Sequence, residues 1–585
     1  MKATWFQLLA LGSSLACSLF ARNVDAETVG ETRPASPPTA HVPSLVVWVT
    51  VDQLPAEILA SFLPRFEPGG FRQLAEQGVY YRRATYQHAV TFTATGHATL
   101  FTGKHPSEHG IIANEWADRT NGLPMACVGD TDSPLVGDPP RPGQGTSPRN
   151  MLRPTVGDLL VMASGGASRV FSVSFKDRGA VLPGGQSGKA FWFSTTSGRF
   201  VSSTFYYPQL PAWAAAWNEL RLVEGFRGGT WPLVMERQRY QRADADDRPF
   251  ERNLYELGRV FPHPLPGAGA KDLPAAVACT PFGDELTISF ALDLLDREKL
   301  GRSNHPDLLA ISLSSTDMIG HIYGPDSLEA EDNLFRLDRL LARFLGDLRK
   351  RLSEESLLVV LSSDHGMGRI PEAVAATHAQ PPSATGRDAL APAQECESGR
   401  HDTGEILAGA EDALKRQFDL KEKVLSAFWT PWIYLNESAV LKQGKSVASV
   451  EHALAELVGA LPGVHSAWTR SDLSQGRVPD GALGVLVRNA FYAERAGHVL
   501  VLPQPCWYLY TESQKYAATH GTHYEYDRTV PILVMGSSVK PATVGREVHP
   551  EALADAVGRI LGIAGPGCDP RDRLTEVTTS GPRLP

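Results

Sequence analysis

Three apolar, β-branched runs that each end in an aspartate constrain this chain more than any other feature. LVVWVTV leads to Asp52, LLAISLSST to Asp317 and LLVVLSS to Asp364. Runs apolar at nearly every position lack the in–out alternation of a half-exposed sheet, and suit strands covered on both faces. RVFSVSF (169–175) is a further run of this kind, and 500–510 and 530–536 also read as strands. Leu334, Leu337, Leu340, Leu341 and Phe344 recur at helical spacing within 327–352, and 68–78 and 549–561 read as further helices. Strands alternating with helices predict an α/β protein with a mostly parallel central sheet flanked by helices. In such a sheet the carboxyl ends of the strands share one edge, where ligands bind. One aspartate after a strand reads as a turn or cap. Three of them, two with histidines close by, read as a site.

The length of 585 residues suits one large core enlarged by insertion. The core is expected over 44–565, with inserted cap segments near 182–283 and 367–498, a Pro/Gly-dense loop at 129–150 and a tail at 566–585. Lys2, the mostly apolar stretch Phe6 to Phe20 and the small-residue site Val24-Asp25-Ala26 read as a signal peptide over 1–26, followed by a linker over 27–43. A periplasmic or secreted protein is expected, with no membrane span after cleavage. Cys127, Cys279, Cys396, Cys506 and Cys568 would then leave room for one or two disulfides of open pairing and at least one free thiol. The formal charge of -9 argues against nucleic acid as a partner. An anionic substrate would need locally concentrated positive charge, which metal ions supply.

Asp317 and His321 are four apart, on one face if helical. Asp364 and His365 are adjacent, so both serve one metal only if the chain turns there, as Gly366 permits. His520 lies in the loop-like THGTHYEYD. Mixed imidazole and carboxylate ligands suit zinc better than magnesium or calcium. TFTATGHATLFTG (91–103) reads as a turn entering a helix, which offers Thr93 either as a simple N-cap or as a nucleophile beside a helix start that attracts phosphate. Asn114 offers an amide donor. Lys176 and Arg178, two apart in SFKDRG, share one side if the chain is extended.

Taken together, VTVDQ, TFTATGHATLFTG, HGIIANEW, SFKDRGAVLPGG, STDMIGH, SSDHGM and THGTHYEYDRTVPIL resemble the alkaline phosphatase superfamily. The closer resemblance is to its threonine-nucleophile branch, which holds nucleotide pyrophosphatase/phosphodiesterases and periplasmic phosphate-irrepressible alkaline phosphatases. The resemblance implies two zinc ions, one on Asp317, His321 and His520, the other on Asp52, Asp364 and His365 with Thr93 on its substrate side. It also implies that Asn114, Lys176 and Arg178 hold phosphoryl oxygens, and that His97 and His523 are not ligands. SFKDRG resembles the monoesterases specifically, so small phosphate monoesters are the expected substrates and a phosphothreonine the expected intermediate. A phosphodiesterase on the same scaffold is the alternative, and a noncatalytic envelope binding protein the third reading.

Overall fold

The computed structural model describes residues 42–119, 122–139, 143–244, 246–378, 396–510 and 515–577. The expected signal peptide, most of the expected linker and the end of the tail lie outside the described residues.

Five parallel strands form the centre of the main sheet: β1 (Leu45–Val51), β2 (Val170–Ser174), β3 (Lys189–Ser194), β4 (Asp307–Leu313) and β5 (Leu357–Ser362). Their spatial order is β5-β1-β4-β2-β3. Every residue of β1 is buried because the sheet is covered on both faces. Leu45, Val47, Val49 and Val51 pack into one apolar layer with Leu309, Ile311, Val359 and Leu361. Val46 and Trp48 point into the opposite layer with Leu308, Ala310, Leu358 and Val360. The period of two in a strand thus divides one apolar run between two cores.

The sheet extends beyond this centre. Thr529–Gly536 runs antiparallel to β5 and to Val79–Thr85. Arg199–Ser203 runs antiparallel to β3, and Gly129–Val136 follows it. The proline- and glycine-dense stretch at 129–150 is therefore not simply a loop. It supplies the last two strands of the sheet, Gly129–Val136 and the short edge strand Gly145–Thr146, and Pro134 is tolerated where their pairing is irregular. Likewise, the segment near 182–283 contributes β3 and Arg199–Ser203 to the main sheet rather than only a cap. Within 367–510 a separate antiparallel sheet forms in the order Leu425–Trp429, Trp432–Leu435, Val499–Pro503, Val464–Thr469. The run at 500–510 is two strands, because the chain breaks after Pro503 and Cys506 takes a positive φ of 64°. Cys506 is bonded to Cys396, while Cys127, Cys279 and Cys568 are free thiols. Among the described residues no helix is long and apolar enough to cross a membrane.

Three helices start at the carboxyl edge of the parallel strands: α1 (Thr93–Thr102), α2 (Asp177–Gly184) and α3 (Ser315–Tyr323). All ten residues of α1 are buried. Its small residues allow that: a Cβ on Gly96 would stand 2.1 Å from the Asp364 carbonyl oxygen. The long helix Leu328–Arg351 begins at Ser327, whose hydroxyl accepts the Ala330 N–H at 3.0 Å, and it ends in Arg349, Lys350 and Arg351, signs that suit its dipole.

Candidate active site

The register of the central strands places the site. Val51 pairs with Leu313, and Thr50 with Ser362, so β1, β4 and β5 end almost level. Each chain then departs differently. After β1, Gln53 takes a positive φ of 64°, and its N–H donates to Asp364 Oδ1 at 3.1 Å. After β4 the chain enters α3, so Asp317 and His321 do fall on one helical face, His321 Nε2 lying 3.3 Å from Asp317 Oδ1. After β5 the chain leaves the sheet at Ser363. Asp364 and His365 therefore converge, with His365 Nε2 3.5 Å from Asp364 Oδ2 and 3.4 Å from Asp52 Oδ1. His520 comes from the loop before Thr529–Gly536, its Nε2 3.5 Å from Asp317 Oδ1.

The six residues fall into two groups, Asp317 with His321 and His520, and Asp52 with Asp364 and His365. Within each group the ligand atoms lie within 4.8 Å of one another. The chemistry of these atoms fits a cation. All three histidines use Nδ1 on a main-chain carbonyl: His321 on Ala518 at 2.7 Å, His365 on Gly366 at 2.9 Å and His520 on Thr91 at 2.7 Å. A neutral imidazole that donates through Nδ1 presents a lone pair at Nε2. Those lone pairs face Asp52 Oδ1 and Asp317 Oδ1, both buried and without a hydrogen bond, and Asp364 Oδ2, which also has His97 Nδ1 at 3.2 Å. Acceptor facing acceptor in a dry site requires positive charge between them. Without a metal a proton answers this need at His365: burial opposes its charged form, but Asp364 and Asp52 outweigh burial and hold the imidazole up at about 9. Burial, joined by repulsion from His365, pushes His520 well down.

Thr93 is the first residue of α1 and not its cap; Phe92 holds the cap position. The Thr93 hydroxyl is buried, 3.4 Å from His365 Nε2 and 3.4 Å from Lys176 Nζ. Asn114 Oδ1 accepts the Ala94 N–H at 2.9 Å, which ties this side chain to the start of α1 and leaves its amide nitrogen as the group that can donate. Lys176 Nζ bridges the two groups, 2.5 Å from Asp52 Oδ2 and 2.5 Å from Asp317 Oδ2. Lys176 and Arg178 are not on an extended chain as expected. Lys176 caps α2 and Arg178 lies in its first turn, because the strand ends at Ser174 and a helix follows at once. Arg178 is partly buried, and its charge is felt by both Asp52 and Asp317.

His97 is no member of either group. Its Nε2 meets Ser312 Oγ at 2.9 Å and its Nδ1 the Thr93 carbonyl at 2.9 Å, which anchors α1 to β4. His523 lies against Tyr524, with ring centroids 4.0 Å apart, and is in neither group. Sequence reasoning assigned nothing to Gln53, Ser363 or Asp527. Ser363 Oγ accepts the Leu54 N–H at 2.8 Å and donates to the His365 carbonyl at 2.7 Å. These residues shape main chain, which leaves little signal in a single sequence.

The family description "Type I phosphodiesterase / nucleotide pyrophosphatase" matches residues 46–524. Alkaline phosphatase PhoV of Synechococcus elongatus is 31% identical over 540 residues, covering 91% of this chain and 92% of that protein. Alkaline phosphatase PafA of Elizabethkingia meningoseptica is 28% identical over 537 residues, covering 92% and 94%. The crystal structure of wild-type PafA superposes with a TM-score of 0.80 at 27% identity, over 92% of this chain and 99% of that one.

Proposed function

This chain belongs to the type I phosphodiesterase/nucleotide pyrophosphatase family, and we propose that within it the chain is a phosphomonoesterase of the alkaline phosphatase kind with Thr93 as its nucleophile. The observation that carries this reading is the placement of Lys176, whose ammonium touches one carboxylate of each ligand group and lies 3.4 Å from the Thr93 hydroxyl. A monoester phosphoryl group carries two negative charges and exposes three nonbridging oxygens. Lys176, Arg178 and the Asn114 amide are the donors available to them.

Asp317, His321 and His520 would hold one metal, and Asp52, Asp364 and His365 the second, with zinc favoured by the mixed donor set. When bound, the pair supplies Lewis acidity and concentrated positive charge for the phosphoryl group. The chain's own part is positional. Thr93 Oγ sits at the positive end of α1 and attacks phosphorus, forming phosphothreonine as the leaving oxygen departs. Asn114, Lys176 and Arg178 hold the equatorial oxygens where charge gathers. Water then cleaves the phosphothreonine and frees phosphate and Thr93. The disulfide between Cys396 and Cys506 supports a periplasmic or secreted location.

The family description favours a second reading, a phosphodiesterase. A diester carries one charge fewer and gains less from a Lys–Arg pair. The test compares kcat/KM on an aryl phosphate and on its methyl diester, with wild-type protein and with Thr93→Ala. We expect a clear monoester preference, and near-complete loss of turnover in the variant with bound zinc unchanged. A diester preference overturns the substrate class; an active Thr93→Ala overturns the nucleophile.

A further inference from the structure

Asp527 takes no part in the reading above, yet it joins the two halves of the site. Its carboxylate is fully buried. Oδ2 accepts the N–H of Gly521 at 3.1 Å and of Thr522 at 2.8 Å, directly after His520. Oδ1 accepts the N–H of Gly368 at 3.1 Å, and the Asp527 carbonyl accepts the N–H of Gly366 at 2.7 Å, directly after His365. The two loops so joined meet at the site, where the His365 and His520 rings stack with centroids 3.6 Å apart at 16°. One ring belongs to each ligand group. The loops approach closely enough to need glycine: a Cβ on Gly366 would stand 2.1 Å from the Tyr526 carbonyl oxygen.

We propose that Asp527 is a positioning residue that sets the spacing between the two metal-ligand groups by clamping the His520 loop to the Asp364–His365 turn. The proposal rests on the two-metal reading. The clamp needs a group with acceptors on both sides. A carboxylate offers lone pairs from two oxygens, whereas a carboxamide offers one oxygen and an NH2 that only donates. In Asp527→Asn the oxygen can stay on the Gly521 and Thr522 N–H pair only by turning an NH2 against the Gly368 N–H. That variant should keep the His520 loop and lose the side-chain hold on Gly368, so that the Asp364–His365 turn rests on the Asp527 main-chain carbonyl alone. Asp527→Ala should lose the side-chain holds on both loops and keep only the main-chain bond to Gly366.

The test titrates zinc alone against a chromophoric chelator, using the full chain. Wild type is expected to take up two equivalents. Asp527→Asn is expected to weaken one of them by roughly 10- to 100-fold, the scale typical for loss of a group that orients metal ligands, and Asp527→Ala to weaken both. Asp307→Asn serves as the control for simple loss of a buried carboxylate. Asp307 also accepts several bonds, from Arg169 and from the Gly301 N–H, but it starts β4 at the end remote from the site. It should lower Tm and leave zinc affinity alone. Asp527 variants that stay folded by circular dichroism and hold both equivalents at wild-type affinity overturn the proposal. If wild type itself takes up no zinc, the two-metal reading fails, and this one falls with it.

Discussion

Lys176 shows how one side chain can serve two carboxylates. Burial alone would lower the pKa of its ammonium, but Asp317 and Asp52 outweigh that and hold it above its ordinary value, so it stays charged. Burial pulls Asp52 the other way, upward, and Lys176 reverses it. Each therefore keeps its partner ionised. Replacing Lys176 by alanine should lower kcat/KM for an aryl phosphate by about a hundredfold, the scale of losing one preorganised donor. The methyl diester should suffer less, since it presents less charge to the missing ammonium. Parallel assays on both substrates check this, and equal losses would show that Lys176 does not read substrate charge.

Among the elements, α1 tolerates little change, because Gly96 brings its backbone against Asp364. Gly96→Ala should force the helix and the Asp364 turn apart. A small-to-large change in a packed core costs about 1–3 kcal/mol, so we expect a lower Tm together with a larger fractional loss of activity than of folded protein. Thermal melts and active-site titration measure the two. The same elements show what the sequence could reveal. β1, β4 and β5 were legible because nearly every residue is apolar and each leads to an aspartate of the candidate site. Asp317 and His321 were legible because helical spacing needs no tertiary knowledge. The start of α2 was not, since KDRG reads equally well as extended chain, and only the packing of α2 against α1 and β2 makes it a helix. Gly129–Val136 was hidden by its own polarity, which its partial exposure near the end of the sheet permits. The clamp at Asp527 was invisible because its partners are main-chain N–H groups, which any residue supplies.

Across the whole molecule, early and late segments are tied at Glu551. Its buried carboxylate accepts the Gln87 N–H at 2.8 Å and lies 3.4 Å from His105 Nδ1. Burial would raise the Glu551 pKa, but His105 outweighs it and holds it at about 2. The stability this gives is present above the ordinary glutamate value and lost as pH falls toward the folded value. His105 is held above its ordinary value by Glu551 against the effect of burial, so its share is present below about 6.5 and lost as pH rises through the folded value. The pair contributes most between about 4.5 and 6.5. Glu551→Gln should flatten the fall of Tm between about pH 5 and pH 3, and an unchanged slope would rule out this source of acid sensitivity.

The interleaving of the main sheet has a temporal consequence. Thr529–Gly536 lies between Val79–Thr85 and β5, and His520 arrives just ahead of it. A nascent chain halted before His520 would lack both the last imidazole of the candidate groups and the ribbon that seats its loop. Synthesis must thus run almost to completion before the two candidate ligand groups can both be complete.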